Sequence, residues 1–300
     1  MSAAHAPSGT DFAHGGAPVA QPARRRRSAV ALLGVPALLF LAAFFVYPLA
    51  LVLASSVPEG SLANYARLWS TPLYGRVILQ TFQTSAIVTV ICLLLAYPYA
   101  YAMARAGRVL FALLAMCLLL PFWVSLLLRS FSWMILLQDS GLVNRLLMDI
   151  GLTDAPIQLI RNKLSVIIGM THILLPYAVL PIFAAMRKVD IRLMEASRIC
   201  GAGPMRCFFK VYLPLTLPGV YAAALLSFTL ALGFYITPAL LGSPRDTMIA
   251  QLVAAQVTEL LNLGFGSALA AVLLLATAAI FAVAGLMIRL GRPHTRVSRP

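Results

Sequence analysis

Val77–Ala104 reads VILQTFQTSAIVTVICLLLAYPYAYAMA, a run without a single Asp, Glu, Lys or Arg. A helix needs about 20 apolar residues to cross the hydrocarbon core of a bilayer, so this run is long enough to span it once. Five more uncharged runs, at 28–58, 109–128, 164–186, 211–244 and 260–288, share that character. The third extends to Leu137 if Arg129 reaches toward a headgroup region. The runs are continuously apolar instead of alternating, which argues against membrane-spanning strands. The reading is an all-α integral membrane protein with about six transmembrane helices, at roughly 30–54, 78–104, 109–136, 165–187, 215–240 and 264–288.

Composition agrees. Of the 300 residues, 61% are hydrophobic and only 11% charged, and the mean hydropathy is +0.90. A soluble domain carries about 25% charged residues, so this chain lacks the polar cover for a water-facing surface. Nineteen Pro and nineteen Gly suit a membrane bundle, where neighbouring helices and Ser/Thr side chains re-satisfy freed backbone groups.

The net charge of +14 fits either a nucleic-acid surface or a positive cytoplasmic face, and its distribution decides. With the N-terminus inside, the inner segments hold Arg24 to Arg27, Arg105, Arg108, Arg187, Lys188, Arg192, Arg198, Arg206, Lys210, Arg289, Arg292, Arg296 and Arg299, sixteen of the 23 Lys and Arg. The positive-inside rule then puts both termini in the cytoplasm. The charge spreads over four segments that can meet anionic headgroups, so membrane lipid is the expected partner and nucleic acid is not. Residues 1–27 read as a disordered basic cytoplasmic tail, 28–290 as the six-helix domain, and 291–300 as a second cytoplasmic tail. Arg24 to Arg27 before an apolar run also suggests a signal peptide, but that run exceeds the usual 7–15 residues, so it reads as an uncleaved first helix. Cys92, Cys117, Cys200 and Cys207 form no CxxC pair. They read as small hydrophobes, without a disulfide or metal site.

The loop between spans four and five, at 188–214, carries the most information. Over 191–200 the pattern suits a short amphipathic helix, with Leu193, Ala196 and Cys200 on one face and Arg192, Glu195 and Arg198 on another. Gly201 and Gly203 allow a sharp reversal, and Pro204 can begin a second helix carrying Phe208, Phe209 and Val211 toward Pro214. This is a cytoplasmic helix–turn–helix with a partly apolar knob, the kind of surface that meets a partner.

The segment resembles the EAA loop of binding-protein-dependent permeases of ATP-binding-cassette importers: Glu-Ala-Ala, three residues, Gly, nine residues, Ile, one residue, Leu-Pro. Here Glu195, Ala196, Ser197, Gly201, Val211, Leu213 and Pro214 fall at matching spacing, with Ser197 for Ala and Val211 for Ile as small departures. The resemblance implies a permease domain whose loop docks into a cytoplasmic ATPase dimer, with these seven residues coupling its closure to the pore. A solvated pairing of Glu195 with Arg192 or Arg198 is the plain structural alternative, as a simple turn is for Gly201. The resemblance also implies a second, sequence-related permease, an extracytoplasmic solute-binding protein and a bacterial inner-membrane location. No cofactor is expected on this chain, ATP and Mg belonging to the partner ATPase.

Further segments resemble the spermidine/putrescine-type branch: Pro121-Phe-Trp-Val-Ser125, Gly141-Leu-Val-Asn144, Leu174 to Pro181, Tyr235-Ile-Thr-Pro238 and Asn262 to Ser267. A polyamine site would favour buried carboxylates or aromatic faces. No Asp or Glu lies in the six runs, which suggests that selectivity sits in the separate binding protein. Arg129, Trp133, His172, Tyr177 and Tyr235 are candidates for the translocation path. Headgroup contact for Arg129, an interhelical hydrogen bond for His172 and packing or an interfacial belt for the aromatics are the competing readings. Neither a GxxxxGK[ST] phosphate loop nor an HExxH or GxSxG constellation occurs, so no catalysis is expected. A secondary transporter of a small organic solute, the rival, would favour intramembrane ionisable groups and an internal repeat.

Overall fold

The computed structural model describes residues 35–290. The two expected tails, 1–27 and 291–300, lie outside the described residues. The chain divides into two units, Met1–Leu51 and Val52–Pro300. In the first, the described residues belong to helix α1 (Val35–Ser55), whose 21 residues make about 30 Å of helix, the thickness of a hydrocarbon core. One π turn, Ala42–Val46, interrupts it, and the Phe40 and Phe44 rings pack at 4.7 Å.

Among its described residues the second unit has helices joined by loops and no strands. In chain order come α2 (Ala63–Ser70), α3 (Pro72–Arg105), α4 (Arg108–Leu119) with a 3₁₀ turn Leu120–Trp123, α5 (Leu126–Leu136), α6 (Leu142–Asp149) and α7 (Lys163–Met186). Then follow α8 (Ile191–Ile199), α9 (Pro204–Leu232), α10 (Ile236–Leu241), α11 (Ile249–Thr258) and α12 (Leu263–Leu290).

The core lies between α3, α7 and α9, which pack against one another more extensively than any other helices. Their contact faces are small. On α3, Val88, Cys92, Ala96 and Ala100 recur every fourth residue and are fully buried. On α9, Gly219, Ala223, Ser227 and Ala231 do the same. Small residues at that spacing let helix backbones approach closely where lipid offers no hydrophobic drive for association. At Gly219 the approach is extreme: an added Cβ would meet the Cβ of Ala185 and lie 2.9 Å from the carbonyl oxygen of Pro181. Polar clasps cross the seams. Tyr97 Oη and Thr216 Oγ1 are 3.0 Å apart, Tyr99 Oη donates to Leu114 O, and the Ile249 amide donates to Thr81 Oγ1.

Two spans differ from the sequence expectation. The third, expected as one helix over 109–136, is broken: Arg108–Trp123 and Leu126–Leu136 meet at 101°. Pro121 sits in the 3₁₀ turn, and Val124 and Ser125 take extended backbone before α5 begins. The run is charge-free on both sides of the bend as far as Leu128, so hydropathy carries no trace of it and only Pro121 marks the place. The fifth, expected over 215–240, starts at Pro204 and stops at Leu232, with α10 a separate short helix after Gly233. It runs through Pro214 because the preceding turn, Phe208–Tyr212, is π-helical. Leu213 N–H bonds back five residues to Phe208 O, and the wider turn accommodates a ring that would clash with a regular helix.

Candidate functional site

The segment between α7 and α9 folds as a helix, a sharp turn and a second helix. Asp190 caps α8, its carboxylate accepting from Arg192 N–H at 3.0 Å, a cap that satisfies one of the open amides of the first turn. The other end closes with Gly201 N–H on Arg198 O (2.9 Å) and Ala202 N–H on Ser197 O (3.1 Å). This paired closure requires a left-handed residue at the glycine, and Gly201 has φ +82°. Pro204 then occupies the first turn of α9, where its missing N–H costs no hydrogen bond.

The apolar face read from the sequence is not the one that α8 buries. Leu193, Ala196 and Cys200 are exposed, and Met194 is the buried residue at 7% exposure. Periodicity within α8 could not reveal this, because the groups around Met194 come from other segments, Arg105 of α3, Cys207 and Tyr212 among them. Arg105 Nη2 donates to Met194 Sδ at 3.0 Å. What remains outward is an apolar surface, Ile191, Leu193, Ala196 and Ile199 (87% exposed), with Met205 and Phe209 from the second arm. Arg192, Arg198, Arg206 and Lys210 surround it, all exposed. Glu195 is exposed too, and its carboxylate makes no hydrogen bond or ion pair with a described residue, so the alternative pairing with Arg192 or Arg198 is not formed. Ser197, Val211 and Leu213 are half-buried, and Pro214 is exposed.

Of the path candidates, three come together. Arg129 and Trp133 stand one turn apart on α5, and Trp133 Nε1–H donates to His172 Nδ1 on α7 at 3.2 Å, the rings meeting edge to face. Arg129 Nε is buried with no partner among the described residues. Tyr177 packs on Phe122 at the bend, 5.1 Å between centroids. Tyr235, 47% exposed, joins none of these contacts. The α5 arm is tied to α10 by the fully buried pair Ser130 Oγ and Thr237 Oγ1 at 3.0 Å. Asn144, the last residue of the Gly141-Leu-Val-Asn144 segment, is a buried clamp: it donates to Gln138 O and Ile157 O and accepts from Ile157 N–H.

One cluster escaped the sequence reading. The guanidinium of Arg105 lies 5.5 Å from the ring centroids of both Tyr101 and Tyr212, and those rings meet edge to face, with Phe208 completing the aromatic group. The signal available was Tyr97, Tyr101 and Arg105 at four-residue intervals, which put a hydroxyl, a ring and a cation on one face of α3. Next to it, a cleft of about 330 Å³ opens among Met103, Ala106, Arg108, Phe111, Phe183 and Arg187.

The family described as "Binding-protein-dependent transport system inner membrane component" matches residues 94–297, a stretch holding α4 to α12 and the whole helix–turn–helix. The spermidine/putrescine transport system permease protein PotB of Haemophilus influenzae is 36% identical over 235 residues, covering 75% of this chain and 82% of that protein. Its counterpart from Escherichia coli (strain K12) is 35% identical over 208 residues, covering 69% and 75%. Among solved structures, a chain of a bacterial alginate ABC transporter, crystallised in complex with an alginate pentasaccharide-bound periplasmic protein, superposes with a TM-score of 0.71 at 16% identity, covering 88% of this chain and 95% of that one. That likeness concerns the fold. With the family match over most of its length, this multi-pass helical chain belongs to the inner membrane components of binding-protein-dependent transport systems.

Proposed function

We propose that this chain is a transmembrane permease subunit of an ATP-binding-cassette importer of the spermidine/putrescine type, forming half of the translocation pore. The observation that carries the reading is the segment Glu195–Pro214, which places an exposed, capped helix and a left-handed glycine turn between the fourth and fifth spans. Glu195, Ala196, Ser197 and Gly201 present this knob to a cytoplasmic ATPase dimer. Val211, Leu213 and Pro214 belong to α9 itself, the second arm of the knob, so a push on α8 reaches a spanning helix directly. A short rigid helix converts domain closure into helix movement better than a loose loop would.

The remaining parts follow from that assignment. Both termini lie in the cytoplasm, ATP and Mg bind the partner ATPase, a second, sequence-related permease supplies the other half of the pore, and an extracytoplasmic binding protein delivers the solute. The chain itself is non-catalytic. The polyamine class is supported by the permeases it resembles and by aromatic side chains beside the path, Trp133, Tyr177 and Tyr235, whose faces attract cations. Arg129, half-buried with its Nε enclosed, then contributes a positive charge that keeps cation binding in the path weak, leaving tight selection to the binding protein.

The test is uptake by the reconstituted complex of both permeases, ATPase and binding protein. Uptake should require ATP, survive collapse of the ion gradient, and be lost in Glu195→Ala combined with Gly201→Asp while membrane insertion is retained. Full uptake by that double variant overturns the coupling assignment. Uptake driven by a gradient without ATP makes the chain a secondary transporter.

A further inference from the structure

We propose that Arg105 is the positioning residue that joins the exposed helix α8 to the two spans it moves, α3 and α9. The proposal rests on the reading of α8 as the coupling helix. Three elements meet on this one side chain. Arg105 is the last residue of α3; its guanidinium faces Tyr101 on the same helix and Tyr212 on the π turn of α9; and it donates to Met194 Sδ on α8. Met194 is in turn the residue through which α8 is buried. A second tether is weaker: the Ser197 hydroxyl lies 2.9 Å from both Met194 O and Cys207 Sγ, and its single proton serves one of them at a time.

The chemistry of these contacts suits a moving joint. Aromatic faces and a thioether attract a guanidinium without a sharply directed bond, so α8 can roll on Arg105 without first breaking an ion pair. No carboxylate lines the joint; the hollow beneath α8, about 90 Å³, is bounded by Ala104, Arg105, Met186, Arg187, Val189, Ile191, Met194 and Tyr212. It leaves space into which the helix can shift. The π turn adds compliance on the α9 side, since Tyr212 sits where the regular ladder is already widened. Lysine cannot replace arginine here, because a point-like ammonium lacks the flat guanidinium that lies against two rings.

The experiment compares uptake with ATP hydrolysis in one preparation of the complete reconstituted transporter, with melting temperature recorded alongside. Arg105→Ala should lower solute moved per ATP hydrolysed by about tenfold or more, in the range of an allosteric coupling, while hydrolysis continues. Arg105→Lys should give an intermediate drop at wild-type melting temperature, and Arg108→Lys, three residues away and outside the joint, the wild-type ratio. If Arg105→Ala fails to assemble, Arg105→Lys decides alone. A wild-type ratio in Arg105→Lys and in any assembled Arg105→Ala overturns the joint. If the Glu195→Ala, Gly201→Asp double variant still transports, the coupling reading itself has failed; if it is uncoupled while the Arg105 variants are not, only the joint has.

Discussion

Gly201 shows how one backbone angle sets the shape of the proposed docking knob. Its φ of +82° closes α8, and a Cβ at this position would meet no atom within 4 Å, so any cost of substitution there is conformational, not steric. An L-residue in the left-handed region costs roughly 1–2 kcal/mol, and asparagine tolerates it best. Gly201→Ala should therefore speed amide exchange across Ile191–Ile199 by about fivefold or more, the equivalent of roughly 1 kcal/mol, and Gly201→Asn by less. Equal exchange in the two variants would show that the turn is not held by this angle. The glycine, and Pro204 after it, were legible because each carries its conformational meaning locally. Met194 was not: whether it or Leu193 faces inward depends on segments outside α8, Arg105 89 residues earlier in the chain among them, and no pattern inside α8 reports it.

Among the elements, the seam between α7 and α9 holds a very close approach. Gly219→Ala would drive a methyl group against Ala185 and the Pro181 carbonyl, and since both neighbours belong to helix α7, the helices themselves must part. Overpacking of this kind costs about 1–3 kcal/mol. The same change at Gly75, exposed on α3 with open space around it, should be neutral or stabilise by up to about 1 kcal/mol, as alanine does in place of a helical glycine. Melting of the two variants in nanodiscs checks the pair, and a matched loss in both would contradict the close approach. Span existence could be read from charge-free runs because hydrocarbon excludes charge along the whole length of a crossing. The break in the third span could not, because Leu, Phe and Trp satisfy lipid equally well on a straight helix and on a bent one. Only Pro121 marked the place.

For the molecule as a whole, sidedness is the property on which the proposed partners depend. Native cysteines offer a direct reading. Cys200, beside the turn, is exposed, while Cys92 and Cys207 are buried. With the exposed Cys117 of α4 replaced by Ser, a membrane-impermeant maleimide should label Cys200 in inside-out vesicles and leave right-side-out vesicles unlabelled. Labelling from the outside would reverse the topology and with it the assignment of the knob to an ATPase. The distribution of Lys and Arg made the orientation expectation possible. The proposed assembly left no comparable signature in one chain, since a surface that pairs with another permease and a surface that faces lipid would both be apolar.

The bend in the third span has an electrical consequence. Arg108–Trp123 reaches only about 24 Å along its axis, short of the roughly 30 Å of a hydrocarbon core, and the backbone at Val124 and Ser125 leaves the helical ladder there. Peptide groups at that depth persist only against protein or water. Where water meets those groups, the insulating slab is thinner beside this subunit than in the surrounding lipid, and a transmembrane voltage falls over a correspondingly shorter distance. A charged solute that crosses beside α5 would then meet most of the membrane field along α4.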